Sequence, residues 1–445
     1  MTSVFGGRNG VIRQFRQVIH QSGQSRAGAR RVHARAPIRY VGRSFRPPLK
    51  RQRMEAPLKT IRYRLWLPVL LMSSVLLLAG CGGQKPSADL QADIDEVAQT
   101  LAEQPLLHSA SIAVVHRGRS FIGHRGQMVA GSPGAPTDAT IYEIGSLSKT
   151  LAGTLMADAV LDGRLSLDDD VRTFLQGNYP NLQYQGEPIR VRHLLSHTSG
   201  LPNMLPERAN TVLEDFTDHR TPAELNALYA HYGKPDFLRD LHAVRIPRAP
   251  GKEYAYSSAG TELTAHILEV IHQRDYQSLL RGFFSDAAAM TGLRIRLDDA
   301  DASRLAVGYH SDNPVPTTPM PPLPWGASGG VKATVPEMVK YLQFQLANGP
   351  VVKESHRALA RFDDEFSVGY FWNIVAGDRQ KGVYYAHHGG VPRSQCYIYI
   401  MPKHDLGIFV ITNQSGDQTA RAMEAAIDTL VGKVVAREAL PPRAG

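Results

Sequence analysis

The stretch YEIGSLSKT, Tyr142 to Thr150, sets two serines and a lysine among small residues at the start of an apolar, helix-like run. Ser146 and Lys149 are three residues apart. On a helix that spacing puts two side chains on one face, about 5–6 Å apart at Cβ. A lysine so placed reaches the serine hydroxyl, and burial lowers its pKa far enough for the neutral amine to take the serine proton. Backbone N–H groups at a helix start also favour negative charge developing on Ser146. Ser148 has no such partner. The competing reading is that Ser146 only caps the helix, the ordinary role of a serine there. The spacing alone leaves both readings open.

Charge narrows the classes of function. The 445-residue chain carries a formal charge of +9, but residues 1–53 hold 13 Lys/Arg and no Asp or Glu. From Cys81 onward 34 Lys/Arg face 40 Asp/Glu, a balance of −6. The main body gives no argument for nucleic-acid binding. Between these parts Lys59, Arg62 and Arg64 precede an apolar run of 16 residues, Leu65–Gly80, which ends in Leu78-Ala79-Gly80-Cys81. The run is short for a spanning helix and fits a signal-peptide core.

Element signals follow the leader. Leu90, Ile94, Val97 and Leu101 recur at helical spacing, and SIAVVHRGRSFIGHRG (111–126) predicts a β-hairpin around Arg117-Gly118. A helix is predicted from about Ser146 to Leu161, followed to about residue 310 by helices and proline-broken loops, including the amphipathic 261–273. After a proline-rich loop (313–330) comes a helix near 335–346. Strands are expected at 367–375, 382–390, 394–402 and 406–413, and a last helix near 418–435. Short links between the late strands imply antiparallel neighbours, with the early hairpin in the same sheet.

Several phrases now occur in the order found in one family. After YEIGSLSKT come VLDGRLSLDDDV, VRHLLSHTSGLP (191–202), PGKEYAYSSAG (250–260), SGGVKATVPEMVKYL and HHGGVPRSQCYIYI. Together they resemble the serine β-lactamase and penicillin-recognising family, in its class C β-lactamase, D-alanyl-D-alanine carboxypeptidase and esterase branch. The resemblance covers roughly 85–435 and implies an α+β fold: an antiparallel sheet flanked by helices, with an inserted, mainly helical lobe. It implies Ser146 as the acylated nucleophile and Lys149 as its activator. Tyr256 would be a second general base, its phenol, normally near pKa ~10, lowered by neighbouring positive charge. His387 would fill the basic position of the third motif. The N–H groups of Ser146 and Gly390 would form the oxyanion hole, with Gly389 and Gly390 letting the strand come close to substrate. Leu78–Cys81 resembles a bacterial lipobox, with Cys81 lipidated.

Three positions depart from the family pattern. Ser258 stands for the usual Asn, His388 for the usual Thr, placing a titratable ring beside the pocket, and Arg393 for a frequent Gly, where it either binds an anionic substrate or lines the surface. These changes weaken the case for efficient β-lactam hydrolysis and leave the nucleophile pair intact.

The expected organisation is a basic extension (1–53, with Met54 as the true start), a lipoprotein signal peptide (54–80), a tether and first helix (81–108) and a catalytic domain (109–437) with a helical lobe at about 151–314. The expected protein is a monomer that acts on a small-molecule or peptide substrate. It is held at a bacterial membrane, facing the periplasm and on the outer membrane, by lipid on Cys81. No metal or other cofactor is expected. Two alternatives carry less weight. Gly326-Ala327-Ser328-Gly329-Gly330 fits the nucleophile-elbow pattern of α/β-hydrolases, with Asp363 or Asp364 and His387 following, but PMPPLPW before it cannot form the required strand. A silent, lipid-anchored scaffold or binding protein of the same fold is the other. His387 and His388 point to opposite faces of a strand, and His193 and His197 lack the adjacent glutamate of a zinc helix, so neither pair makes a metal site.

Overall fold

In the computed structural model, residues 86–439 are described; the basic extension, the apolar leader and Cys81 lie outside them. The strands of the main sheet are β1 (Ser109–His116), β2 (Arg119–Gly126), β3 (Ala360–Arg361), β4 (Phe366–Gly369), β5 (Trp372–Val375), β6 (Tyr384–Val391), β7 (Ser394–Met401) and β8 (Leu406–Thr412). They lie in the order β2-β1-β8-β7-β6-β5-β4-β3, and every pairing is antiparallel. The early hairpin therefore adds to the last strand, which closes the chain on itself.

Strand alternation sorts the core into two layers. On β7, Cys396, Ile398 and Ile400 face the larger core, while Tyr397 and Met401 face a second one. That second layer is roofed by α1 (Pro86–Ala102) and α5 (Asp417–Glu438). Leu90, Ile94, Val97 and Leu101 of α1 are all at most 5% exposed. At ~1.5–3 kcal/mol for each fully buried aliphatic side chain, this stripe is what holds the helix in place.

The other face carries the helix that matters for chemistry, α2 (Ser148–Leu161). Its residues from Ser148 to Ala157 are all buried, so it runs through the interior rather than along a surface. A 3-10 turn, Gly145–Leu147, leads into it. From α2 to Ala302 the chain is helices and loops, with two-residue strands at Gln183–Tyr184 and Glu187–Pro188. The longest helix of this region is α3 (Ser258–His272), capped by Ser257, whose Oγ accepts the Gly260 N–H at 2.9 Å. A short ladder, Ile141–Glu143 with Lys332–Thr334, ties the segment before the 3-10 turn to α4 (Val335–Ala347).

The expected single strand over 367–375 is instead two strands, β4 and β5, joined by a two-residue turn, Tyr370-Phe371. Both turn residues have positive φ, 50° and 70°, the geometry of a tight hairpin that normally selects Asn and Gly. Nothing in the local sequence signals it. Burial decides instead: the two rings are 0% and 1% exposed, and the Phe371 N–H donates to Leu195 O at 2.8 Å. The hairpin tip is driven into the helical region because two large aromatic side chains gain more there than the left-handed backbone costs.

We expect Phe371→Ala to destabilise the protein by ~3–5 kcal/mol in urea unfolding, as for other buried aromatic truncations. Phe371→Gly should lose about 1 kcal/mol less than the alanine variant, because glycine relieves the left-handed backbone. Outside such a turn the order of the two would be reversed.

Candidate active site

The Ser146 turn is fixed from below before any chemistry enters. Ser148 Oγ donates to Gly145 O at 2.6 Å and accepts the Val331 N–H at 3.1 Å, while the 3-10 turn that carries Ser146 starts at Ile144 without a side-chain cap. The second serine of YEIGSLSKT is thus the structural one, and Ser146 Oγ is left free for another partner.

That partner is Lys149, whose Nζ lies 3.0 Å from Ser146 Oγ and donates to Ser328 O at 2.6 Å. Its side chain is wholly buried, and desolvation pushes its pKa down to about 7, against the opposing pull of the Glu262 carboxylate. A neutral amine is therefore well populated near neutral pH, within hydrogen-bond reach of a hydroxyl.

Tyr256 comes from the loop that enters α3. Lys149 Nζ sits 4.8 Å from its ring centroid, and its hydroxyl shares a hydrogen bond with Ser146. Burial pushes the phenol above its ordinary range, and only the Ser146 contact opposes that. The expected lowering by nearby positive charge is not what the site produces, so this phenol is held protonated. It suits proton donation better than proton abstraction.

His387 stands on β6 beside the same group. It is 3% exposed, and its ring Nδ1 pairs with His388 O at 2.6 Å. Desolvation, and then Lys149, press its pKa down to about 3, so it is a neutral ring rather than a fixed cation. The expectation for His388 needs correction. In register it faces Tyr397, and its ring lies 4.6 Å from the Tyr397 ring, in the layer under α5. Alternation along the strand sends it to the opposite face of the sheet from His387, and it adds no titratable group to the pocket.

β6 runs on past β5, whose pairing ends at Ala386, so residues 387–391 have a strand partner only on the β7 side. The Ser146 turn packs against this open edge. Gly145 has φ 52°, and a Cβ there would lie 2.7 Å from Gly390 N. Cys396 Sγ, under Gly389, donates to Ile144 O at 3.2 Å. The Gly390 N atom is thereby brought against the turn that carries Ser146.

Ser258 is buried at the first position of α3, and its backbone N–H points to Asn203 Oδ1 at 3.4 Å. A carboxamide thus lies beside the position where the serine lacks one, but it comes from a distant loop. Arg393 neither lines the surface nor reaches outward: it is 6% exposed, donates to Ala306 O and faces Glu143 at 3.7 Å.

Two residues take places that the sequence reading did not give them: His197, weighed there only as a metal ligand, and Glu262. His197, 2% exposed with φ 55°, packs its ring against that of Tyr256, 4.5 Å away and tilted by 40°, and accepts the Ser257 N–H through Nδ1 at 3.2 Å. Glu262, 4% exposed, accepts the N–H groups of Trp325, Gly326 and Ser328. Its signal was present as a lone acidic residue one turn beyond Ser258, on the same helix face. The α/β-hydrolase alternative is not assembled. Ser328 sits in a loop against Glu262, Asp364 pairs with Arg361 at 2.9 Å, and His387 bonds to backbone.

Comparison with known proteins agrees with this geometry. The sequence model of the β-lactamase family matches residues 94–433. Protein flp of Staphylococcus aureus (strain N315) is 25% identical over 350 residues, which is 76% of this chain and 66% of that protein. A β-lactamase of Providencia stuartii is 23% identical over 270 residues, 60% of this chain and 63% of its own. The chain thus spans just under two thirds of the length of these relatives. Among solved structures, a β-lactamase/D-alanine carboxypeptidase from Yersinia pestis superposes with a TM-score of 0.64 at 20% identity, covering 78% of this chain and 99% of that one. A β-lactamase from Sulfitobacter sp. EE-36 gives 0.65 at 20% identity, with 80% and 100% covered. The chain belongs to the β-lactamase family, with its serine-hydrolase fold.

Proposed function

We propose that this protein is a serine hydrolase that cleaves an amide or ester through an acyl-enzyme on Ser146. The observation that carries the reading is the 3.0 Å contact between Ser146 Oγ and a wholly buried Lys149. Neutral Lys149 takes the Ser146 proton as Oγ bonds to the acyl carbon. The oxyanion is held by the N–H groups of Ser146 and Gly390. As the bond to the leaving group breaks, that group takes a proton from the Tyr256 hydroxyl, which the Lys149 ammonium then replenishes. Water, deprotonated by the same amine, releases the acid and restores Ser146.

His387 and Ser258 bear on the substrate. A neutral imidazole offers a hydrogen bond but no full charge to a carboxylate, and a serine has fewer donors than an amide. Because a D-alanyl peptide and a β-lactam both present a carboxylate, the missing charge supports a small uncharged ester or amide ahead of either. We also propose that lipid on Cys81 holds the enzyme at the periplasmic side of the envelope, as a monomer; Cys81→Ala should release it from the membrane fraction.

A fluorophosphonate or fluorescent penicillin probe should label the wild type and Ser328→Ala but not Ser146→Ala. Labelling lost only in the Ser328 variant would replace this reading, and wild-type protein that neither labels nor turns over would favour the silent scaffold. Assays on a nitrophenyl ester, nitrocefin and a D-Ala-D-Ala peptide then rank the substrates. The kcat/KM for the ester should rise with pH through about 7 and level off above it, because the protonated lysine cannot accept the serine proton. A profile flat from pH 5 to 8 would exclude Lys149 as the base.

A further inference from the structure

Glu262 is a buried carboxylate that accepts three backbone N–H groups. Oε2 accepts the Trp325 N–H at 2.7 Å and the Gly326 N–H at 3.1 Å, and Oε1 accepts the Ser328 N–H at 2.8 Å. The Ser328 hydroxyl also bonds to it. Burial pushes the Glu262 carboxyl above its ordinary range, while the Ser328 hydroxyl, the backbone N–H groups and Lys149 all pull the other way by favouring the anion. A buried anion needs a counter-charge. The nearest candidate is Lys149, whose Nζ donates to the carbonyl of the same Ser328 whose N–H Glu262 accepts. One residue of backbone thus separates the two charges, with its dipoles aligned between them.

We infer that Glu262 is the positioning residue of the Ser146–Lys149 pair: it holds the 325–328 loop so that Ser328 O aims Lys149 Nζ at Ser146, and its charge stabilises the ammonium formed when Lys149 takes the serine proton. The inference rests on the acyl-transfer reading of Ser146 and Lys149. In the step itself the proton passes from Ser146 Oγ to Lys149 Nζ while Oγ bonds to the acyl carbon; Glu262 gains and loses nothing. The other titratable groups do not duplicate it. His197 and His387, which face Lys149, are kept neutral by burial. Tyr229 and Tyr276, which face Glu262, have phenols pushed upward by burial and stay protonated. Glu262 thus supplies the negative charge that works on Lys149, and it acts to raise the lysine's pKa.

The sign of the test follows. Removing the charge lowers the pKa of Lys149, so the acidic limb of the kcat/KM profile moves to lower pH. Loss of the loop contacts misplaces the amine and lowers the plateau. In Glu262→Gln, with a nitrophenyl ester and with fluorophosphonate labelling rates, we expect the plateau to fall about 10- to 100-fold while the limb shifts toward acid. Glu262→Asp keeps the charge and withdraws it by one methylene, so its plateau should fall with the limb near its wild-type position. Thermal unfolding of each variant reports whether the fold survives; if the glutamine variant unfolds, the aspartate variant carries the test. A glutamine limb that stays in place, or a folded aspartate variant with the full wild-type plateau, overturns the inference while leaving acyl transfer by Ser146 standing. A wild type that neither labels nor turns over overturns both.

Discussion

An ammonium group cannot be carried into a protein interior without either a counter-charge or the loss of its proton, and Lys149 is held between those two outcomes. Its surroundings are the Ser146 hydroxyl, the Ser328 carbonyl, the face of Tyr256 and, one residue away, the Glu262 carboxylate. Desolvation alone would strip the proton; the carboxylate alone would lock it on. The balance near pKa 7 depends on both, and so on every element that keeps water out and Glu262 in. α2 is buried all round for this reason, and α3 brings Tyr256, Ser258 and Glu262 from one helix start.

Much of this frame is legible in the sequence, because the relevant signals are periodic or local. The α1 stripe, the β1–β2 hairpin, the last three strands and α5 all follow from spacing and turn chemistry; the strands lie within two residues of their expected limits, and α5 runs three residues past its own. The start of α2 is displaced by a 3-10 turn, yet the three-residue interval still brings Ser146 and Lys149 together, since both helix types place such residues on one side. The hairpin at Tyr370-Phe371 is the opposite case. Its turn is imposed by tertiary burial against the backbone preference of both residues, and the run SVGYFWNIV reads as one strand because only its surroundings break it.

The site divides along the same line. Ser146, Lys149 and Tyr256 carry sequence patterns that resemble a family, and the structure gathers them within hydrogen-bond distance. The charge states around them carry no such pattern. His387 looks basic in sequence and is neutral in place because it is buried beside another potential cation. His388 looks like a pocket residue, and strand alternation alone sends it to the opposite layer. Arg393 looks free to meet an anion and is committed to Glu143 and Ala306 O. In each case the residue type is visible and its environment is not.

These corrections point one way. Of the basic side chains that the sequence offers to a substrate anion, one is neutralised by burial, one faces the wrong layer and one is spent on an internal carboxylate. Lys149 remains, and under the proposed mechanism its amine is committed, in the neutral form, to the serine proton. On the proposed reading, a substrate would be held by the oxyanion N–H pair, by the polar groups near Ser258 and Asn203, and by apolar contact near His197 and Tyr256. Hydrogen bonds and apolar contact discriminate by shape and by donor placement, whereas a fixed cation discriminates by charge. On the proposed reading the departures from the family pattern are therefore coupled: with a buried, neutral histidine at the basic position, selectivity would fall to the shape of the Ser258 side of the site.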